Sequence, residues 1–284
     1  MPSILNERRD QVAIIRLNRP AERNALSLEM IVALNDSFRN LHTQPNLRAV
    51  ILTGTGTEAF CAGIDVAESG SLNEAAALDE SRSLDESGAR EVSQRGAELC
   101  DKIERCGVPV IAAVNGLAAG AGCELALACH LRIAADTAQF ALTETKLSLI
   151  ETKFSFTETK PGLLPTAVGN ERPARELGDE QARELLSSGK AISADEALRL
   201  GLVNRVVPAA ELMSQAAALA QEIVQLAPLA IRACLEAVIQ GTQLPLAEGL
   251  ALETKLFASL FATGDVREGT SAFLEKRVPA FKGT

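Results

Sequence analysis

Three apolar, β-branched runs, each stopped by small or breaking residues, most constrain what this chain can fold into. Gln11-Val12-Ala13-Ile14-Ile15-Arg16-Leu17 reads as a strand that ends at Asn18-Arg19-Pro20, where proline removes a ladder donor and fixes φ. Ser27 then stands ready as an N-cap, and Met30, Ile31, Leu34, Phe38 and Leu41 recur at helical spacing, as in an amphipathic helix lying on a sheet. Arg48 to Thr53 is a second buried strand, broken by Gly54 and Gly56, and Val108 to Val114 is a third, ended by Asn115-Gly116. Leu131 to Ala135 and Gln139 to Leu142 look like further strand.

The last third is helical. Ala182 to Leu186, Ser193 to Leu200, Ala209 to Leu226 and Pro228 to Gln240 carry apolar residues at three- and four-residue steps, and Ser193-Ala194-Asp195-Glu196 has the form of a capping box. Strand–turn–helix units followed by helices imply an α/β core with a helical C-terminal part. A chain of 284 residues can bury one large core, and no break in composition demands two independent domains. Asp65 to Asp101 is rich in Glu, Asp, Ser and Ala and reads as loop plus helical cover over a site.

Charge narrows the partners. The formal net charge is −9 and no Lys/Arg stripe is present, which disfavours nucleic acid and anionic membrane surfaces, both bound mainly through cationic clusters. No apolar run approaches the ~18 residues of a membrane span. Met1 to Glu7 lacks the apolar core of a signal peptide, so a soluble, cytoplasmic protein is expected. The six cysteines (Cys61, Cys100, Cys106, Cys123, Cys129 and Cys234) form no CxxC pair, and His42 and His130 are the only histidines. That disfavours a zinc site and a Ser–His or Cys–His relay, and leaves the cysteines as small reduced hydrophobes. Catalysis would have to rest on carboxylates and backbone dipoles.

Two turns fit that demand. In Gly120-Ala121-Gly122-Cys123-Glu124 small residues open a helix. They let the backbone approach a ligand and leave first-turn N–H groups free for an oxyanion. Glu124 is followed by Leu125-Ala126-Leu127-Ala128, a setting in which desolvation raises a carboxyl pKa toward that of a general acid or base. The plainer reading is a carboxylate capping the helix dipole. In Ala59-Phe60-Cys61-Ala62-Gly63-Ile64-Asp65 a second strand ends in small residues, and the Ile64 amide could face the same site. Two amides from separate turns are what an oxyanion hole requires.

One local repeat bears on the site. Phe140 to Lys146, Leu147 to Lys153 and Phe154 to Lys160 are three heptads of the form apolar-x-apolar-x-Glu-Thr-Lys. They are too short and too β-prone for a coiled coil, and a local duplication is simpler. It triples a glutamate, as Glu144, Glu151 and Glu158.

Over nearly its whole length the chain resembles the crotonase superfamily of enoyl-CoA hydratases and isomerases. The resemblance is carried by Ile15-Arg16-Leu17-Asn18-Arg19-Pro20, Asn24-Ala25-Leu26-Ser27, Phe60 to Asp65 and Asn115-Gly116 through Leu125. It continues through Ala138-Gln139-Phe140, Ile192-Ser193-Ala194, Gly201-Leu202-Val203-Asn204 and Ala272 to Arg277. It implies an α/β fold, a crotonase-like spiral of ββα turns. That core would span 1–205, with the 66–101 cover and the 147–160 heptad insertion, and 206–284 would be a helical region for trimerisation. The substrate would be an acyl-CoA thioester, with no cofactor beyond the coenzyme A it carries, and the protein a homotrimer or hexamer.

The resemblance also implies residues. The oxyanion amides map to Ile64 and Ala121, and Ala25, Ala62, Gly63, Asp65, Val66 and Gly120 would line the substrate. Of the two glutamates of hydratase-like members, the first maps to Glu124. The second falls on Glu144 when read forward from Asp136-Thr137-Ala138-Gln139-Phe140, and on Glu158 when read backward from Pro161-Gly162-Leu163-Leu164-Pro165. The upstream anchor favours Glu144; neither frame reaches Glu151, and a one-glutamate enzyme is the remaining alternative. Ala121 stands where the family usually has Gly, and Thr166-Ala167-Val168-Gly169 replaces a Gly-rich stretch, so the fit of the acyl group is open. The implied activity is hydration of a 2,3-double bond. A Δ3–Δ2 enoyl-CoA isomerase and a non-catalytic crotonase-fold protein are the alternatives.

Overall fold

The β-branched runs pair where their spacing places them. The computed structural model describes residues 1–41, 44–65, 86–141 and 171–284. β1 (Ile4–Arg9) and β2 (Val12–Leu17) form an antiparallel hairpin with Ile4 opposite Leu17 and Arg9 opposite Val12. α1 (Leu28–Leu41) follows, its start capped by the Ser27 hydroxyl, which accepts from the Met30 N–H at 3.1 Å. Then come β3 (Ala49–Gly54), β4 (Ala59–Cys61), α2 (Glu86–Glu104), β5 (Val110–Val114), β6 (Leu117–Ala119), α3 (Ala121–Leu127), β7 (Leu131–Ala135) and β8 (Gln139–Ala141). After the 142–170 segment follow α4 (Glu171–Leu177), α5 (Asp179–Ser188), β9 (Ile192–Ser193), α6 (Ala194–Arg199) and β10 (Arg205–Val207). The chain ends in α7 (Leu212–Val224), α8 (Pro228–Gly241), α9 (Leu246–Leu260) and α10 (Gly264–Glu275).

Two sheets share these strands. One runs β1-β2-β3-β5-β7-β10, parallel beyond the first hairpin; the other runs β4-β6-β8-β9, parallel except for its last pair. The pairs β3/β4, β5/β6 and β7/β8 each give their first strand to the larger sheet and their second to the smaller. Every turn of chain therefore advances both sheets by one strand, the spiral of ββα turns that the resemblance implied. Strands β3 and β5 are buried at every position, which is why they read as unbroken apolar runs. α7 lies on the larger sheet through buried Leu212, Ala216 and Ala220, the two alanines allowing close approach.

Several elements differ from expectation. Of the stretch read as loop plus helical cover, 66–85 lies outside the described residues, and 86–101 lies within α2, which packs on α1 and buries Leu99, Cys100 and Ile103. That apolar stripe is thin and is diluted by Glu, Asp and Ser. β1 is exposed at five of its six positions, and β10 is only three residues long, so neither announces itself as a strand. The Ala209 helix begins as a 3-10 turn before α7. Five cysteines are buried, as expected of small hydrophobes, but Cys234 is exposed on α8. No helix among the described residues is long and apolar enough to cross a membrane.

Candidate active site

The site begins with an asparagine that sequence reasoning passed over. Arg23 and Asn24 both adopt left-handed φ, 51° and 57°, a region that asparagine tolerates better than most side chains. Asn24 is fully buried. Its Oδ1 accepts from the Arg19 N–H at 3.0 Å, and its Nδ2 donates to the carbonyls of Thr55 at 3.0 Å and Ala59 at 2.9 Å. The turn so fixed presents Leu26 as a short strand to the second candidate loop. Leu26 N–H donates to the Gly63 carbonyl at 2.7 Å, and Asp65 N–H donates to the Leu26 carbonyl at 2.9 Å. Arg19 completes the clamp, pairing with Asp65 at 2.7 Å and donating to the Ala25 carbonyl at 3.0 Å.

Alternation along an extended chain turns the Ile64 amide away from Leu26. Among the described residues that N–H has no hydrogen-bond partner. The chain reaches this position through Gly63, whose φ of 107° excludes an ordinary side chain.

The opposite wall is the start of α3. Gly120 has φ 50° and ψ −125°, donates to the Ala141 carbonyl at 2.8 Å and accepts from the Glu124 N–H at 3.1 Å. It therefore ties β8 to the first turn of the helix. Ala121 follows at the first helical position, where an N–H has no partner within the helix, and none is present among the described residues. The unusual backbone angle belongs to Gly120, and Ala121 is not among the residues of positive φ, so alanine fits at this position without strain.

The two walls touch. A Cβ added to Gly122 would lie 2.7 Å from the Cys61 carbonyl carbon and 2.8 Å from its Cβ, and one added to Gly63 would lie 3.3 Å from the Ala119 carbonyl oxygen. Glycine at both positions lets the end of β4 and the start of α3 meet, bringing the turns that carry the Ile64 and Ala121 amides together.

Glu124 lies one turn into α3, every residue of which is buried, and its own exposure is 0%. Its charge reaches neighbouring elements. The Cys61 and Cys100 thiols are pushed up to about 12, chiefly by burial and in part by the Glu124 carboxylate. Arg172, at the start of α4, pairs with Glu104 of α2 at 2.5 Å. Burial works against the Arg172 charge, but the Glu104 hydrogen bond and the nearby charges of Glu104 and Glu124 raise its pKa above the ordinary arginine value.

Of the residues named from sequence, Ala25, Ala62, Gly63, Ile64 and Asp65 gather on the first wall, and Gly120, Ala121 and Glu124 on the second. The Asp65 carboxylate is engaged by Arg19, so it holds the loop that carries Ile64. Val66, Glu144, Glu151 and Glu158 lie outside the described residues. Asn24 and Arg19 stand in the stretches that carry the resemblance but no role was read for them there, and Arg172 went unrecognised; the Ala59, Asp65 and Glu104 groups they meet lie far along the chain.

The chain matches the Enoyl-CoA hydratase/isomerase family over residues 7–153 and 149–284, two stretches that overlap inside the heptad repeat. It is 34% identical to the short-chain-enoyl-CoA hydratase of Clostridium acetobutylicum, over 99% of this chain and 98% of that one. It is 35% identical to the crotonyl-CoA hydratase of Syntrophomonas wolfei, over 98% and 97%. The crystal structure of an enoyl-CoA hydratase from Bacillus anthracis aligns with a TM-score of 0.88 at 36% identity, covering 99% of this chain and all of that one.

Proposed function

Because the chain belongs to the enoyl-CoA hydratase/isomerase family, we propose that it adds water across the 2,3-double bond of an acyl-CoA thioester, with Glu124 and a second glutamate as its working carboxylates. The observation that carries this reading is that two amides without a hydrogen-bond partner among the described residues, Ile64 and Ala121, stand on the two walls that meet at the turn holding the buried Glu124. The amides take the thioester oxygen, and their hydrogen bonds strengthen as negative charge builds on it. Glu124 accepts a proton from water as the oxygen–C3 bond forms. Glu144 then delivers a proton to the α-carbon, so that the elements of one water molecule enter the product. Ala25, Ala62, Gly63, Val66 and Gly120 line the thioester, and coenzyme A enters only as part of the substrate. The hydratases among its relatives favour water addition over double-bond migration.

We also infer a homotrimer or hexamer built through the C-terminal helices, which expose Val238, Leu246, Leu250, Phe257, Phe261 and Phe273. An apolar surface of that kind on a soluble protein marks an interaction face. A reducing cytoplasm suits the free thiols.

The test is hydration of crotonyl-CoA by the wild type and by Glu124→Gln, Glu144→Gln and Glu158→Gln. Glu124→Gln and Glu144→Gln are expected to lose ~10²-fold or more. Full rate in Glu144→Gln with such a loss in Glu158→Gln would move the second role to Glu158. Conversion of a 3-enoyl to a 2-enoyl thioester without hydration would make the protein an isomerase.

A further inference from the structure

We propose that Asn115 is a positioning residue for the two oxyanion amides: it grips the Ala59 carbonyl beside a β-bulge at Phe60, the extra residue that brings Ile64 level with Ala121. The inference rests on the reading of those amides as the site for the thioester oxygen, and it assigns the group that aligns them.

The alignment follows from strand register. β4 and β6 run parallel, with Ala59 opposite Leu117 and Cys61 opposite Ala118, so β4 uses one more residue than β6 over that step. Beyond the bulge the two chains match residue for residue. Cys61-Ala62-Gly63-Ile64 and Ala118-Ala119-Gly120-Ala121 each run from a paired residue through a small one to a glycine of positive φ, and the amide follows. They also stay in contact, since a Cβ on Gly63 would lie 3.3 Å from the Ala119 carbonyl oxygen. Without the extra residue Phe60 would pair with Ala118, and Ile64 would stand one residue ahead of Ala121, about 3.3 Å along the strand. A displacement of that size takes one donor out of reach of an oxygen that the other still holds. Bulges re-aim the chain in this way beside active sites.

Side chains hold the bulge in place. β4 is the edge strand of its sheet. Asn115 Nδ2 donates to the Ala59 carbonyl at 3.1 Å and to the Gly56 carbonyl at 2.8 Å, while its Oδ1 accepts from the Gly54 N–H at 3.0 Å. Asn24 Nδ2 fills the other lone pair of the Ala59 oxygen at 2.9 Å. Past the bulge, the Ala62 N–H donates to the Arg23 carbonyl at 3.1 Å. Glycine makes room for the cluster: a Cβ on Gly54 would lie 2.5 Å from the Ala59 oxygen, and one on Gly116 would lie 2.8 Å from the Ala59 nitrogen. The two asparagines differ in what they join. Asn24 belongs to the turn that pairs with the Ile64 loop, so it holds β4 to its own wall. Asn115 stands just before β6, the strand that leads into Ala121, so it ties β4 to the opposite wall.

The experiment compares the wild type, Asn115→Asp, Asn115→Ser and, as a control for lost stability, the core truncation Leu212→Ala on α7. Thermal melts, kcat and KM for crotonyl-CoA hydration, and the near-ultraviolet absorbance of bound acetoacetyl-CoA are measured for each. The enolate of acetoacetyl-CoA spreads its charge onto the thioester oxygen, so the enolate fraction reads the alignment of the amides without any hydration step. Asn115→Asp keeps the acceptor for Gly54 and loses both donors; Asn115→Ser is too short to reach Gly56 and Ala59 and adds no charge. In both, kcat is expected to fall about tenfold or more with KM within about twofold of wild type, and the bound enolate fraction is expected to fall with kcat. Leu212→Ala is expected to melt lower with kcat and enolate fraction near wild type. Wild-type kcat and enolate fraction in Asn115→Ser, or equal losses in Leu212→Ala, overturn the proposal. A loss confined to Asn115→Asp assigns the effect to its charge and overturns it too. If Asn115→Asp does not fold, Asn115→Ser decides alone. A wild type that holds the enolate but does not hydrate crotonyl-CoA removes the hydratase reading, and the enolate fraction of the variants then decides the inference; a wild type that does neither removes both.

Discussion

Gly122 presses its Cα against the backbone of Cys61, so that a methyl group there would overlap the Cys61 carbonyl and come within 2.8 Å of its Cβ. The obstructing atoms are mostly backbone, which cannot swing aside as a long side chain can. Gly122→Ala must push the Ile64 turn and the Ala121 turn apart. Overpacking of this kind costs about 1–3 kcal/mol, so the variant is expected to fold with a lowered denaturant midpoint. Its hydration rate is expected to fall further than its stability implies, because the two amides no longer converge. Equal kcat for variant and wild type would show that the walls need not touch.

Asn24→Asp isolates the clamp on the first wall. The substitution keeps an acceptor for the Arg19 N–H but replaces the amide that donates to Thr55 and Ala59. A carboxylate would then face two carbonyl oxygens in a fully buried site. Two donor bonds are lost and their acceptors lose a partner, a cost of at least about 2 kcal/mol. Urea denaturation measures it, and a midpoint within error of wild type would refute the role given to Asn24.

The same contrast explains what the sequence made legible. β2, β3 and β5 announce themselves because almost every residue faces core, and Glu124 stands out because an acid among Leu and Ala needs a reason. β1 does not, because five of its six positions are exposed and its pairing with β2 owes more to the hairpin than to composition. The groups that hold the site were hidden for another cause. Asn24 meets Ala59 and Arg172 meets Glu104, contacts spanning 35 and 68 residues that no local pattern encodes. The heptad duplication hides the second glutamate, since three near-identical neighbourhoods satisfy one motif.

His130 gives stability an acid-side dependence. Its Nδ1 accepts from the Val110 N–H at 2.9 Å, so the neutral ring carries its proton on Nε2, which donates to the Glu104 carbonyl at 3.0 Å. Protonating Nδ1 would set a donor against the Val110 donor. Burial lowers the His130 pKa below its ordinary 6.5. The unfolded chain therefore binds this proton first, and stability falls as pH drops from about 6.5 toward the lowered value, and is retained above 6.5. His130→Asn keeps an acceptor and loses the titration, so it is expected to be less stable at pH 8 but to show a flatter profile from pH 8 to 5. Parallel profiles for the two proteins would assign the dependence to other groups.

Phe257 and Phe261 form an edge-to-face pair at the C-terminal end of α9, with ring centroids 5.1 Å apart, and both residues are more than half exposed. Aromatic rings held in a fixed arrangement in water gain little there, whereas burying each against a partner is worth about 1.5–3 kcal/mol. Phe257→Asp together with Phe261→Asp replaces that gain with two desolvation penalties per protomer and a charge repelled by its symmetry mates. Light scattering is expected to give a trimer or hexamer for the wild type and a 30.0 kDa monomer for the double variant. Far-UV circular dichroism should be unchanged, since α9 directs these rings away from the core. An oligomer that survives both substitutions would move the interface off this face, and a wild-type monomer would abolish it.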